Sequence, residues 1–389
     1  MARVDPDLRA VRAQLPSLAA AAYLNAGGCG PLPLAAADAL RAWAESATGR
    51  VRGSLAAFEA MVADAAATRE AAGRVVGAPA HEIALTANTT TGLNVVAWGI
   101  DWADGDEIVA PALEHPGMTV PLAVIARRHG AVIRWIDPDG SGDGLAAAVA
   151  AACGPRTRLV ALSHVSWATG AVLDVEGAAG AARAAGALVL VDGAQSAGAI
   201  PVDVTSLGAD AYAFPAHKWL LGPEGLGALW VAPGAMARID LSASGYESGG
   251  EHAPGGVLTP HPSAERYEVS TPPAALLPVW RASLGWLEDL GWEWVHARTA
   301  RAARRGRAAL EEVPGVEVLT PPAPQAGLVT FVIPGRDPQA ACALMAERGC
   351  IVRWLERPSA LRASFGFFTD DSDLALLVEC ATAIARGGC

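Results

Sequence analysis

An α/β fold with a mostly parallel seven-stranded sheet in a large domain, followed by a smaller α+β domain, is what this sequence predicts. Three observations carry the prediction. Seven short apolar runs alternate with alanine-rich helical stretches over the first two-thirds of the chain, the pattern of a sheet covered by helices on both faces. Polar residues suited to chemistry follow several of those runs, where open α/β sheets bind ligands. The 389 residues also exceed the roughly 250–300 at which single cores stop growing.

The runs are residues 82–86, 107–110, 131–136, 158–163, 187–191, 211–214 and 226–231. Thr90 comes after the first, Glu114-His115 after the second, Ser163-His164 at the fourth, Asp192 after the fifth and Lys218 after the sixth. From Leu241 to Pro273 the chain turns rich in Gly, Ser, Pro and His without periodicity, which reads as a long functional loop entering the second domain. Helical segments follow over about 276–311, then apolar runs at 316–319 and 327–333, a helix over 338–348, a run at 351–354 and a last helix. The division expected is a large domain over 26–262 and a small one from 1–25 with 263–389.

Composition excludes several classes. With 52% hydrophobic and 18% charged residues, disorder is not expected. A net charge of −11 and the lack of any basic run longer than Arg304-Arg305 argue against nucleic acid. The stretch Leu145 to Ala152 is too short to span a bilayer, and the charged N-terminus has no secretory apolar core, so no membrane partner and a cytoplasmic location are expected. Six cysteines, at 29, 153, 342, 350, 380 and 389, show no metal-ligand spacing, so no metal or disulfide framework is expected.

Lys218 is the only lysine, against 28 arginines. Arginine cannot shed its proton near neutral pH or condense with a carbonyl, whereas a desolvated lysine does both. Lys218 is therefore a Schiff-base candidate, the alternative being a surface lysine spared by a mutational bias. Asp192 ends the run 188–191, and a carboxylate there is costly without a positive partner. A pyridinium nitrogen is such a partner, and protonation makes the ring an electron sink; a helix N-cap is the plainer reading. Asn88-Thr-Thr-Thr-Gly92 opens a helix, where backbone N–H groups and hydroxyls bind phosphate, although Asn and Thr are also common N-caps.

The ordered set Tyr23-Leu-Asn-Ala-Gly-Gly28, Asn88 to Gly92, Glu114-His-Pro-Gly117, Asp192-Gly-Ala-Gln-Ser196, His217-Lys218 and Arg266-Tyr-Glu-Val-Ser-Thr271 resembles the class V aminotransferase family of fold-type I pyridoxal phosphate (PLP) enzymes. Ala97 to Trp102, Ser163 to Trp167 and Pro324 to Val329 bring it nearest to the L-cysteine/cystine C–S lyases of that family. The resemblance implies that Lys218 carries the cofactor and moves the α-proton, Asp192 pairs with the pyridine nitrogen, Gln195 bonds the phenolic oxygen and His115 stacks on the ring. Thr90, Thr91 and His217 would hold the phosphate, with Thr271 donated across a homodimer interface. An amino-acid carboxylate suits a bidentate arginine. Arg362 resembles the family's carboxylate-binding arginine and Arg353 a second arginine of the lyases; Trp167, Tyr246 and Asn25 complete the expected substrate contacts. His164 reads as a core histidine.

Desulfurases of this family use a cysteine upstream of the carboxylate arginine, but no cysteine lies between Arg353 and Arg362, and Cys350 is expected to be buried. Pro215 stands where many relatives have a phosphate-binding hydroxyl, and Tyr246 where the cystine lyases have tryptophan. The expected reaction is β-elimination from L-cysteine, L-cystine or an S-substituted cysteine, possible in sulfur natural-product biosynthesis. The alternatives are decarboxylation-dependent oxidative deamination of a cysteine conjugate, transamination, epimerisation or desulfuration, or a silent PLP-fold binding protein.

Overall fold

The computed structural model describes residues 5–137, 144–253, 255–322 and 326–387. Cys389 and the Pro324-Gln325 part of the motif quoted above lie outside them.

All seven apolar runs are strands of one sheet: β1 (Ile83–Thr86), β2 (Glu107–Pro111), β3 (Val132–Ile136), β4 (Thr157–Ser163), β5 (Leu188–Asp192), β6 (Ala211–Pro215) and β7 (Gly227–Val231). Their order is β3-β2-β4-β5-β6-β7-β1, with β7 antiparallel to both neighbours and the other pairings parallel. The runs are continuously apolar because both faces are covered. Successive side chains point to opposite sides. Val160, Leu162, Val189, Val191 and Phe214 enter one core, while Leu159, Ala161, Leu188, Leu190 and Ala213 enter the other.

The second sheet has four strands, β8 (Glu317–Val318), β9 (Leu328–Val332), β10 (Arg353–Leu355) and β11 (Ala360–Ser364), in the antiparallel order β8-β9-β11-β10. Phe331, Leu361 and Ala363 pack there against Leu310, Met345 and Leu377 from three helices. The N-terminal residues join this unit, since Ala22–Tyr23 pairs with Cys350–Ile351 and Arg12 bridges Asp370 and Asp373 at 3.1 and 2.7 Å.

Two expectations need correction. The loop 241–273 contains an antiparallel hairpin, Gly249–Ala253 with Val257–Pro260, whose glycine- and histidine-rich strands lack an apolar period because they are largely exposed. The domain boundary near 263 is also too early. Helix Leu276–Leu290 buries Trp280 and Leu284 in a core of the large sheet, whereas helix Trp292–Glu311 packs on the small one. We place the boundary at Gly291, whose φ of +94° makes the break between them.

The segment leading to Thr271 is fixed by a buried pair. Arg69 Nε and Nη2 donate to Glu268 at 2.8 and 2.9 Å, and the same carboxylate accepts from the Leu85 backbone N–H on β1 at 2.8 Å. Arg69→Ala would leave that carboxylate buried and uncompensated, so urea unfolding should show a loss of about 3–5 kcal/mol.

The five described cysteines are free. Among the described residues no helix is long and apolar enough to cross a membrane.

Candidate active site

The strands of the large sheet end in polar residues because the apolar runs stop where a cavity of about 250 Å3 begins. Asp192, the last residue of β5, lies level with Ser163 of β4 and Ala213 of β6. Its Oδ1 accepts from the Ala194 N–H at 2.8 Å. Burial pushes its pKa up, against the opposing pull of Lys218.

β6 ends at Pro215, and Lys218 follows on the cavity wall. Burial pushes its amine down to about 8, with Arg362 and Arg353 adding to the effect and Asp192 and Cys29 resisting it. The turn beyond it is strained, since Leu221 is a buried non-glycine residue at φ +52°. Gly30 packs directly on this turn. Its N–H donates to the His217 carbonyl at 2.7 Å, and a Cβ on it would lie 2.2 Å from the Lys218 carbonyl oxygen.

Residues 24–30 form a strap across both sheets. The Leu24 carbonyl accepts from the Ser364 N–H on β11 at 2.7 Å, and the Gly27 carbonyl accepts from Gln195 Nε2 at 2.9 Å. Gln195 Oε1 in turn accepts from Trp219 Nε1 at 2.9 Å.

Across the cavity stands helix Thr89–Trp98, whose N-cap Asn88 accepts from the Thr91 N–H at 2.9 Å and the Thr91 hydroxyl at 3.2 Å. Thr91 is thus committed to the cap, and Thr89 lines the cavity beside Thr90 instead. Sequence reasoning missed Thr89, although its place in the first helical turn was the available signal. His217 reaches the same cavity with Nδ1 buried and unpartnered.

His115 caps helix Pro116–His129, with Nδ1 accepting from the Gly117 N–H at 3.0 Å. The neutral ring must therefore carry its proton on Nε2. Burial lowers its pKa to about 4, helped by Lys218, Arg353 and Arg362. Trp167 packs edge-on against it with centroids 5.0 Å apart, and donates from Nε1 to the Leu113 carbonyl at 2.8 Å.

Arg353 and Arg362 face each other across β10 and β11. Both line the cavity, and among the described residues neither has a carboxylate partner. Arg362 donates from Nη1 to the Trp167 carbonyl at 2.7 Å, leaving a buried Nε unpartnered. Burial, then Arg353, lowers its pKa to about 9.

The cavity therefore gathers Lys218, Asp192, His115, Thr90, Gln195 and His217, together with Trp167, Arg353 and Arg362. Four expected residues do not line it in this chain: Thr91, Asn25, Tyr246 and Thr271. Asn25 stands behind Gly28 with Oδ1 buried and unpartnered. Tyr246 and Thr271 are exposed and bond each other through their hydroxyls. His164 is a core residue, its Nδ1 3.1 Å from the Tyr212 hydroxyl. Cys29 bonds Glu224 through Sγ, and burial, then Glu224, raises its thiol to about 11.

The donor set fits pyridoxal phosphate. It has an amine, a buried carboxylate, a flat neutral imidazole and a helix N-terminus beside hydroxyls, with unpartnered buried nitrogens on His217 and Arg362 ready for anionic groups. The family model described as aminotransferase class V matches residues 22–377. This chain belongs to the class V aminotransferase family. It is a fold-type I, PLP-dependent enzyme of that family.

Among similar class V aminotransferases, a probable cysteine desulfurase of Pseudomonas aeruginosa is 33% identical over 392 residues, covering 93% of this chain and 94% of its own. Another, from Mycolicibacterium paratuberculosis, is 31% identical over 348 residues, which are 82% of this chain and 49% of that protein, so this chain spans about half its length. A solved complex of the cystine C–S lyase C-DES with its reaction product cysteine persulfide has a TM-score of 0.90 at 33% identity, covering 95% of this chain and 99% of that one.

Proposed function

We propose that this enzyme is a carbon–sulfur lyase performing β-elimination on L-cysteine, L-cystine or an S-substituted cysteine. Thiol or persulfide, pyruvate and ammonia are the products. One observation separates this from desulfuration: among the described residues no cysteine lines the cavity. Cys350 is buried on its strand, and its thiol is raised to about 12 by burial, with Cys380 adding to the effect. Cys29, on the strap and near enough to act on Lys218, has its thiol raised to about 11 by burial, then Glu224, so neither cysteine is held as the thiolate that would carry sulfur away. The likeness to the cystine lyase supports the same reading.

PLP, when bound, supplies a conjugated sink for the electron pair left at Cα. Asp192 would hold a proton on the pyridine nitrogen, Gln195 would donate its remaining Nε2 hydrogen to the phenolic oxygen, and His115 would cover the ring face. The N-terminus of helix Thr89–Trp98, with Thr89, Thr90 and His217, would hold the phosphate. Thr271 would reach the phosphate of a partner subunit in a homodimer. Arg362 would grip the substrate carboxylate and so fix which Cα bond lies perpendicular to the ring. Lys218 Nζ would accept the α-proton as the Cβ–S bond breaks, with sulfur keeping the bonding pair. The three-carbon enamine left behind hydrolyses to pyruvate and ammonia. Trp167 and Arg353 would border the space for the sulfur substituent, and a large S-conjugate from sulfur natural-product biosynthesis is one substrate class to test there.

Two measurements test these roles. Arg362→Gln should raise KM by about 10²-fold, the loss of a charge-assisted bond worth roughly 1.5–3 kcal/mol. Unchanged KM would place the carboxylate elsewhere. The Lys218 amine, near 8, is mostly protonated below that pH. Capture of PLP by cofactor-free protein should therefore accelerate roughly tenfold for each unit that pH rises towards 8 and level off above it. For the reaction itself, mass spectrometry of products from cysteine, cystine and S-alkyl cysteines should show pyruvate with a thiol or persulfide. Alanine would overturn the lyase reading in favour of desulfuration, and loss of CO2 would indicate oxidative decarboxylation.

A further inference from the structure

Glu114 has no role in the reaction just derived, yet it is buried and bonded twice to Ser163. It lies on the loop between β2 and helix Pro116–His129, one residue before the imidazole on the cavity wall. Its side chain is buried. Oε1 accepts from the Ser163 N–H at 2.7 Å, and Oε2 accepts from the Ser163 hydroxyl. Ser163 is the last residue of β4 and lies level with Asp192 on β5, with the His164 N–H donating to the Asp192 carbonyl at 3.0 Å. A single carboxyl thus joins the loop that carries His115 to the strand end beside Asp192.

We propose that Glu114 is a positioning residue of the cofactor site: it clamps the His115 loop onto the end of β4, and its proton sets how much negative charge Asp192 shares its surroundings with. The proposal rests on the reading of Asp192 and His115 as cofactor contacts. Two buried carboxylates that act on each other do not both ionise freely. Burial, with Asp192 adding to it, pushes Glu114 up to about 7, while the Ser163 and His115 bonds hold it down. Below that pH Glu114 is a neutral acid sharing its proton with the Ser163 hydroxyl and adds no charge behind Asp192. Above it, a second negative charge stands behind Asp192.

Asp192 is the titratable side chain that acts on Glu114, and the other titratable groups act on its neighbours. Lys218, Arg353 and Arg362 act on His115, and the amine of Lys218 also acts on Asp192. His164 and Tyr212 pair with each other, Tyr212 also bonding Ser196.

The test uses PLP-loaded full-length protein with Glu114→Gln and Glu114→Ala. An amide retains the clamp, with its oxygen accepting from the Ser163 N–H and its nitrogen donating to the Ser163 hydroxyl, but it cannot titrate. Wild-type protein should show an inflection near pH 7 in the absorbance of the bound cofactor. Glu114→Gln should hold PLP within about threefold of wild type and lack that inflection. Glu114→Ala should hold PLP at least about tenfold more weakly, measured by the cofactor remaining after dialysis. An inflection in Glu114→Gln identical to wild type, or none in wild type, overturns the charge role, and wild-type PLP retention by Glu114→Ala overturns the clamp. If wild-type protein binds no PLP at all, the cofactor-site reading fails instead, which is a distinct outcome.

Discussion

Lys218→Ala protein loaded with PLP is expected to turn over cysteine substrates about 10²–10⁴-fold more slowly than wild type, the range for losing a positioned general base. After borohydride treatment and digestion, mass spectrometry should find no cofactor adduct on the variant and one on the wild-type peptide containing Lys218. The chain has no second lysine that could substitute. An adduct that persists in the variant, or turnover within tenfold of wild type, would remove Lys218 from the centre of the mechanism. The neighbouring His217 and the buried Leu221 turn are unchanged in this variant, so PLP retention through the phosphate contacts serves as the control for folding.

Asp192→Asn should be nearly as damaging. The amide is isosteric and keeps the bond from the Ala194 N–H, so the end of β5 has no reason to shift. What disappears is the anion that keeps a proton on the pyridine nitrogen. Breaking a buried charge pair costs about 3–5 kcal/mol, which at the transition state corresponds to a rate loss of roughly 10²–10⁴-fold. The signature is a fall in kcat with PLP still bound. A variant that lost PLP but turned over normally when saturated with cofactor would show Asp192 acting in binding alone.

The large sheet was legible from sequence because burial on both faces leaves uninterrupted apolar runs, and each predicted run coincides with a strand to within two residues. The polar residues at the strand ends were legible for the same reason, since a carboxylate or amine after such a run has few structural excuses. Strand Ala360–Ser364 was not foreseen. It is only five residues long and carries Arg362 at its centre, so the residue that matters for function is the one that hides the strand. Thr91 misled because three consecutive threonines look alike in sequence, and only the geometry of the Asn88 cap distinguishes the one that turns away. Glu114 was marked by its place after a strand and beside His115, but its role was not, because its bonds to Ser163 on another strand are visible only in the fold.

The strap of residues 24–30 has a consequence for when this protein can work. It is made early in synthesis, yet it closes the pocket only by bonding to Gln195, His217 and, on the last strand, Ser364. A nascent chain therefore cannot assemble the complete cavity until the ribosome has released β11. Cofactor loading should therefore wait for β11, and chains truncated just before residue 360 should fail to retain PLP even though they contain the whole seven-stranded sheet.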